Sequence, residues 1–297
     1  MSGVLAAENL VFRYEGRGPL VLEGVGLRVQ KGTCLALLGA SGSGKSTLLL
    51  HLNGTLKPEA GQVYLNEVPV GYGRRALKQW RQRVGLVLQD PDDQVACPLV
   101  YQDVAFGPQN LGLAAAEVQR RVATSLDWVG IGHLSERGVH QLSFGEKKRV
   151  ALAGVLAMGP EVLLLDEPTA GLDPRATRQL MHTLAARKAG GTALVMATHD
   201  VDLAFAWADE VVVLCRGRAG CQGQSRTTLA DAALMEEAGL RLPWLVELAA
   251  EARRRGWLEE ARALPGTLAA LMAQLGECLG CEDRRHEAPT HENRERG

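Results

Sequence analysis

The stretch GASGSGKST, residues 39–47, constrains this chain more than any other. Gly39 and Gly44-Lys45-Ser46 occupy the fixed positions of a phosphate loop. Such a loop needs a buried strand before it and a helix after it. The apolar run Cys34–Leu38 supplies the strand, and Lys45–Leu52 reads as a helix stopped by Asn53-Gly54. Chance would place the pattern in roughly one chain of this length in a hundred, and the strand and helix context makes chance negligible. Glycines let backbone N–H groups close on the phosphates of a nucleotide, Lys45 supplies a point charge, and Ser46 supplies a hydroxyl for Mg²⁺. The expected nucleotide contacts are Gly39, Ser41, Gly42, Gly44, Lys45, Ser46 and Thr47.

The surrounding pattern is that of an α/β fold. Near-continuous apolar strands at Cys34–Leu38, Val84–Leu88, Val162–Leu165, Ala193–Ala197 and Val211–Leu214 alternate with helices, which indicates a mostly parallel sheet covered on both faces. A helix begins at Asp173-Pro174, a capping residue with proline at the first helical position, and ends at Gly190-Gly191. Leu10–Tyr14, Leu20–Val29 and Gln62–Leu65 are expected to form a small antiparallel layer. A helical subdomain spans about 90–158, with Val118, Val122, Leu126 and Val129 at helical spacing. The main domain is expected over 1–225, a helical extension over 226–276, and a disordered tail over 277–297. No internal repeat is seen. The net charge of -1 gives no basic excess pointing to nucleic acid. No apolar run approaches the roughly 20 residues that span a bilayer, and MSGVLAAENL lacks the blocks of a signal peptide. Cysteines are scattered singly, apart from Cys278 and Cys281, so a reducing compartment is expected.

Five further places in the sequence carry chemistry. In LLLDEPTAGLDP, residues 163–174, apolar residues deliver Asp166 and Glu167 to a strand's carboxyl end, where open α/β sheets bind ligands. Asp166 can hold Mg²⁺, and Glu167 can take a proton from an attacking water. Gln89 ends a strand and can reach Mg²⁺ or that water. His199 ends another and is placed for a γ-phosphate contact. Tyr14 offers an aromatic face for a base, with plain packing as its alternative. Finally, LSFGEKKRV, residues 142–150, reads as a capped helix start, Ser143 and Glu146 forming a capping box. Gly145 between them would cost about 1 kcal/mol against alanine, so a bare backbone N–H has some other use there.

Taken together and in this order, these stretches resemble the ATP-binding cassette (ABC) family, over about residues 4–240. LSFGE resembles that family's signature, normally LSGGQ, with Phe144 and Glu146 as departures. The resemblance implies two subunits meeting head to tail. The Ser143 hydroxyl and Gly145 N–H of one subunit would face the γ-phosphate of its partner's ATP, and Asp173 would link the two sites. QDPDDQVACPLVYQDVAFGPQNLGL, residues 89–113, with THDVDLAFAWADEV, is similar to ATPase subunits of energy-coupling-factor importers, nearest the cobalt and nickel branch. That resemblance implies ATP and Mg²⁺ as cofactors, a place on the cytoplasmic face of the membrane, and three partners: a second ATPase subunit, a transmembrane scaffold and a substrate-binding membrane subunit. Coupling helices of the scaffold would enter a groove around Asp92 to Phe106. The cargo stays open among cobalt, nickel and vitamins or other small solutes, in that order. Rival readings of other classes are a soluble cassette ATPase acting on ribosomes or chromosomes, and a P-loop metabolic kinase. The former usually has two cassettes or a long coiled-coil insertion, and LSFGE with the Asp-Glu pair opposes the latter.

In the extension, Leu242, Leu245, Leu248, Leu258, Ala261 and Leu264 recur at helical spacing, a face for packing on the ATPase domain or on a second copy, and the same resemblance favours dimer support. Cys278, Cys281, His286 and His291 have the spacing of a small zinc knuckle, while the charged composition of the last residues favours disorder.

Overall fold

The computed structural model describes residues 3–16, 18–220, 222–259 and 264–283, with the backbone alone from 277 to 283. Two sheets organise the first domain. The antiparallel one contains β1 (Leu5–Phe12), β2 (Leu22–Val29), β4 (Ala60–Leu65) and β5 (Val68–Pro69), in the order β2-β1-β4-β5. Its β1 starts five residues before the expected run Leu10–Tyr14 and stops at Phe12. The alternation Leu5, Ala7 breaks at Asn9, where φ is 52° and the register shifts, so a period-two reading loses the strand's first half. Tyr14 consequently lies in a short 3-10 turn, Tyr14–Gly16.

The core sheet places β3 (Cys34–Leu38) between β8 (Ala193–Thr198) and β9 (Glu210–Cys215), and continues from β8 to β7 (Val162–Asp166) and β6 (Val84–Val87), all parallel. Short antiparallel strands β10 (Arg218–Ala219) and β11 (Gly223–Gln224) pair with β9. Every residue of β3, β7 and β8 is buried, as a sheet covered on both faces requires. On one face lie α1 (Lys45–Leu52) and α2 (Arg74–Arg83), whose Trp80 indole N–H donates to the Leu52 carbonyl at 2.9 Å. On the other, α3 (Val100–Asn110), α4 (Ala115–Trp128) and α5 (Phe144–Met158) close a core of Val104, Val118, Val122, Leu126 and Val150 that also takes Leu163 and Leu165 of β7. Next, α6 (Pro174–Ala189) is capped by Asp173, whose Oδ1 accepts the Ala176 N–H at 2.8 Å, and α7 (Val201–Trp207) by Asp200.

The extension consists of α8 (Ser225–Thr228), α9 (Ala232–Glu237), α10 (Trp244–Arg254) and α11 (Leu268–Asp283). Its Met235, Leu245, Val246, Ala249 and Leu271 pack against Val201, Phe205 and Val211 of the first domain. Helix α11 continues past residue 276, so 277–283, expected in a disordered tail, are helical. The apolar spacing Leu268, Leu271, Leu275 runs on through Leu279 and carries the helix with it. Cys278 and Cys281 belong to this helix, their side chains undescribed, while His286 and His291 lie outside the described residues. Among the described residues no helix is long and apolar enough to cross a membrane.

Candidate nucleotide site

The phosphate loop forms where β3 delivers the chain to the carboxyl edge of the core sheet. At Gly39 an added Cβ would lie 2.5 Å from both the Leu214 carbonyl and the Ser43 hydroxyl. At Gly44, which precedes α1 with φ of 103°, it would lie 2.9 Å from the Val21 carbonyl. Only glycine fits either place. Lys45 is buried by the loop, and its Nζ donates to the carbonyls of Gly39 (2.7 Å) and Ala40 (3.1 Å). Burial pushes its pKa down, and the carboxylates of Glu167 and Asp166 push it back up. Ser43 Oγ is buried with no hydrogen-bond partner among the described residues, whereas Ser41, Gly42 and Ser46 are exposed at the rim. An unpartnered buried hydroxyl, a buried ammonium and the positive end of α1 converge here, a fit for a polyphosphate. Thr47 is buried, and its Oγ1 lies 3.0 Å from the Tyr14 hydroxyl, so the 3-10 turn is tied to the loop. The Tyr14 ring stays half exposed beside Phe12, with which it makes an edge contact at 5.0 Å.

Across the sheet, β7 ends at Asp166 and the next residue leaves the strand sharply: Glu167 has φ of 43°. The two carboxylates differ. Burial raises the pKa of Asp166, opposed by a hydrogen bond from Ser46, while the Glu167 charge adds to the rise. Glu167 is fastened instead. Its Oε1 accepts from the His199 backbone N–H (3.0 Å) and from His199 Nδ1 (2.7 Å), and its Oε2 accepts from Thr198 Oγ1 (3.1 Å). A carboxylate has about four lone-pair sites; three are used, which leaves one on Oε2. The bond to a carboxylate puts a proton on His199 Nδ1 and leaves Nε2 for another partner. His199 is thus joined to Glu167 as well as standing at the strand end. Gln89 is exposed on the bend after β6. The side chain that fastens that bend is Gln94, which accepts from Leu88 N–H and donates to the Leu86 carbonyl.

Ser143 and Gly145 head α5. The capping box is complete: Glu146 Oε2 accepts from the Ser143 N–H and Oγ at 2.8 Å each, and Ser143 Oγ accepts from Glu146 N–H at 3.3 Å. These bonds hold the Glu146 carboxyl below its usual range. Phe144 turns its ring onto Gly171: a Cβ there would lie 2.6 Å from Phe144 Cε1. Besides Gln94, sequence reasoning does not single out two residues that fasten Glu167. Thr198 is a buried hydroxyl at a strand end, a signal that was legible. Lys148, buried on α5, donates to the Glu167 carbonyl at 2.5 Å and the Ala170 carbonyl at 3.0 Å, and no local pattern announces it.

The chain is similar to known proteins in sequence and in fold. The family model described as ABC transporter matches residues 22–170. The chain is 48% identical over 275 residues to the cobalt import ATP-binding protein CbiO of Rhodobacter capsulatus, spanning 93% of this chain and 98% of that protein. It is 44% identical over 245 residues to the energy-coupling factor transporter ATP-binding protein EcfA of Methanocaldococcus jannaschii, spanning 82% and 88%. Among solved structures, cbiO1 from Clostridium perfringens, part of the ABC transporter complex cbiONQ, superposes with a TM-score of 0.71 at 40% identity, covering 84% of this chain and 99% of that one. This chain is therefore a member of the ABC transporter family, an ATPase of the cassette type.

Proposed function

We propose that this chain is the ATP-hydrolysing subunit of an energy-coupling-factor importer, working at the cytoplasmic face of a membrane, with cobalt or nickel ions as cargo. Likeness along nearly the whole of both chains to a cobalt import ATP-binding protein supports the cargo class. The observation that carries the chemistry is the Glu167 carboxylate, held by Thr198 and His199 with one lone pair still open. In this reading Glu167 takes the proton of a water that attacks the γ-phosphate of ATP. Lys45 exchanges its two carbonyl partners for phosphate oxygens, and His199 offers Nε2 to the γ-phosphate. Ser46, Asp166 and Gln89 present hard oxygen donors suited to Mg²⁺. When bound there, Mg²⁺ supplies charge that stabilises the phosphoryl oxygens.

One chain holds only half of such a site. Ser143 and Gly145 reach the nucleotide of a second ATPase subunit, and Asp173 lies at the junction. Closing and reopening of the pair moves a transmembrane scaffold seated near Asp92 to Phe106. The extension packs on its own domain and supports the pair, giving an ATPase domain over 1–225 with its helical subdomain at about 90–158. The test is purification from membranes of the source cell, followed by ATPase and metal-uptake assays of the intact complex. Integral membrane subunits should copurify, and cobalt or nickel uptake should stop with Glu167→Gln. Copurification with ribosomes or DNA, and none with membrane subunits, would sink the importer reading.

A further inference from the structure

Lys148 is the most deeply buried cation of the described molecule, at 3% exposure, and it sits on the signature helix rather than in the phosphate loop. Burying an ammonium is costly unless hydrogen bonds repay it. Here the partners are two backbone carbonyls, Glu167 at 2.5 Å and Ala170 at 3.0 Å. Burial drives the Lys148 pKa down, and the nearby charges of Glu167, Asp166 and Asp90 oppose that. Its carbonyl partners bracket a turn that the Ala170 N–H closes onto the Glu167 carbonyl at 3.2 Å. Glu167 opens that turn in a left-handed conformation, φ 43°, which a non-glycine residue keeps only where its surroundings hold it. The Phe144 ring lies 5.9 Å from Nζ and covers Gly171, the next residue along, so the ammonium is also shielded from one side.

We propose that Lys148 is a positioning residue for hydrolysis: by gripping the Glu167 and Ala170 carbonyls it fixes the left-handed turn that aims the Glu167 carboxylate. The proposal rests on the reading of Glu167 as the base and deepens it. Thr198 and His199 hold the carboxylate from the β8 side; Lys148 holds the same residue's backbone from α5. The helix that offers Ser143 to a partner's nucleotide therefore also sets the base of its own site. A shift of α5 on docking reaches Glu167 through one side chain, without passing through the sheet.

The test uses the full chain in its transporter complex, with Lys148→Met, Lys148→Arg and Glu167→Gln, alone and combined. Lys148→Met should lower kcat by about tenfold to a hundredfold, the range for a misplaced catalytic group. Its KM and its affinity for a fluorescent ATP analogue should hold. Lys148→Arg, which keeps charge and donors, should recover most of kcat. In the Glu167→Gln background Lys148→Met should lower the residual rate no further, because it acts through Glu167. Normal kcat in Lys148→Met, an equal loss of nucleotide affinity, or full additivity with Glu167→Gln overturns the proposal. Should the Met variant not fold, Lys148→Gln decides: reduced kcat at unchanged affinity supports the role, and wild-type kcat ends it. Wild-type turnover in Glu167→Gln would instead overturn the base assignment itself. Loss in Glu167→Gln with none in Lys148→Met removes the positioning role alone.

Discussion

The phosphate-loop pocket and the head of the signature helix both present N–H groups and a serine hydroxyl, yet they are finished to different degrees. In the pocket the contacts join residues far apart in sequence, Glu167 to His199 and Lys148 to Glu167, and Ser43 Oγ is buried without a partner among the described residues. At the signature helix, Ser143 and Glu146 satisfy one another within a single turn, on the exposed surface. The pocket is preorganised by the core sheet, and its buried Ser43 hydroxyl remains available to a ligand. The helix head is a self-sufficient local motif that must give up a hydrogen bond before it can serve one. On the proposed head-to-tail reading, this difference implies an order of events: nucleotide binds the pocket of a single chain first, and the signature engages when a partner brings it.

The sharpest way to break the comparison is to disarm the pocket without emptying it. Glu167→Gln should cut ATP turnover by about a hundredfold to ten-thousandfold, the range for a general base, while ATP binding persists. Light scattering should find an ATP-stabilised pair in that variant. Single chains only, under saturating ATP, would mean that the signature never engages and that the head-to-tail arrangement is wrong. Emptying the pocket is next in size. Lys45→Ala removes a charged donor, a loss of about 1.5–3 kcal/mol, or roughly tenfold to a hundredfold in nucleotide affinity. Equilibrium titration with a fluorescent nucleotide checks this, and unchanged affinity would deny that the pocket binds by itself.

Legibility in the sequence follows the same division. The phosphate loop, the Asp166-Glu167 pair, the Asp173 cap and the Ser143–Glu146 box are each made within a few consecutive residues, so spacing alone exposed them. The parallel core was legible because strands buried on both faces are apolar throughout. What stayed hidden depends on distant partners or on backbone irregularity. Asn9 hides the first half of β1 by breaking its alternation. Lys148 looks like one charge among several in the run Glu146–Arg149 until the fold brings the Glu167 carbonyl to it. Gln94 outranks Gln89 as the fastener of the bend after β6 only once both ends of that loop are placed.

Asp166 tests how much stability the pocket gives up for its ligand. Its pKa is raised above 3.8, chiefly by burial, so the folded state holds its proton more tightly than the unfolded chain. The sign is opposite to that of a salt-bridged carboxylate: its contribution to stability falls as pH rises from 3.8 through the raised folded value. At neutral pH the full penalty is present. Asp166→Asn should therefore raise Tm at pH 7 by about 2 °C, the shift expected of roughly 1 kcal/mol in a chain of this size. The gain should shrink in acid, and activity should be lost. A lower Tm at pH 7 would mean that Lys45 and Ser46 repay the burial in full.

The smallest expected effect bears most directly on the signature helix. Glu146 places a carboxylate at the positive end of α5, and it takes the Ser143 hydroxyl hydrogen that a partner's γ-phosphate would need. Glu146→Gln removes the charge but keeps a carbonyl oxygen able to complete the capping box. An exposed charge at a helix N-terminus is worth about 0.3–1 kcal/mol, so ATP-driven pairing and turnover should rise roughly twofold to fivefold. The same loss of charge should lower thermal stability slightly, because the carboxylate favours the helix. Two opposite movements from one substitution separate the local role of the motif from its role across the interface. If stability falls while pairing and turnover stay as they were, Glu146 only caps its helix, and the signature reaches the nucleotide without giving anything up.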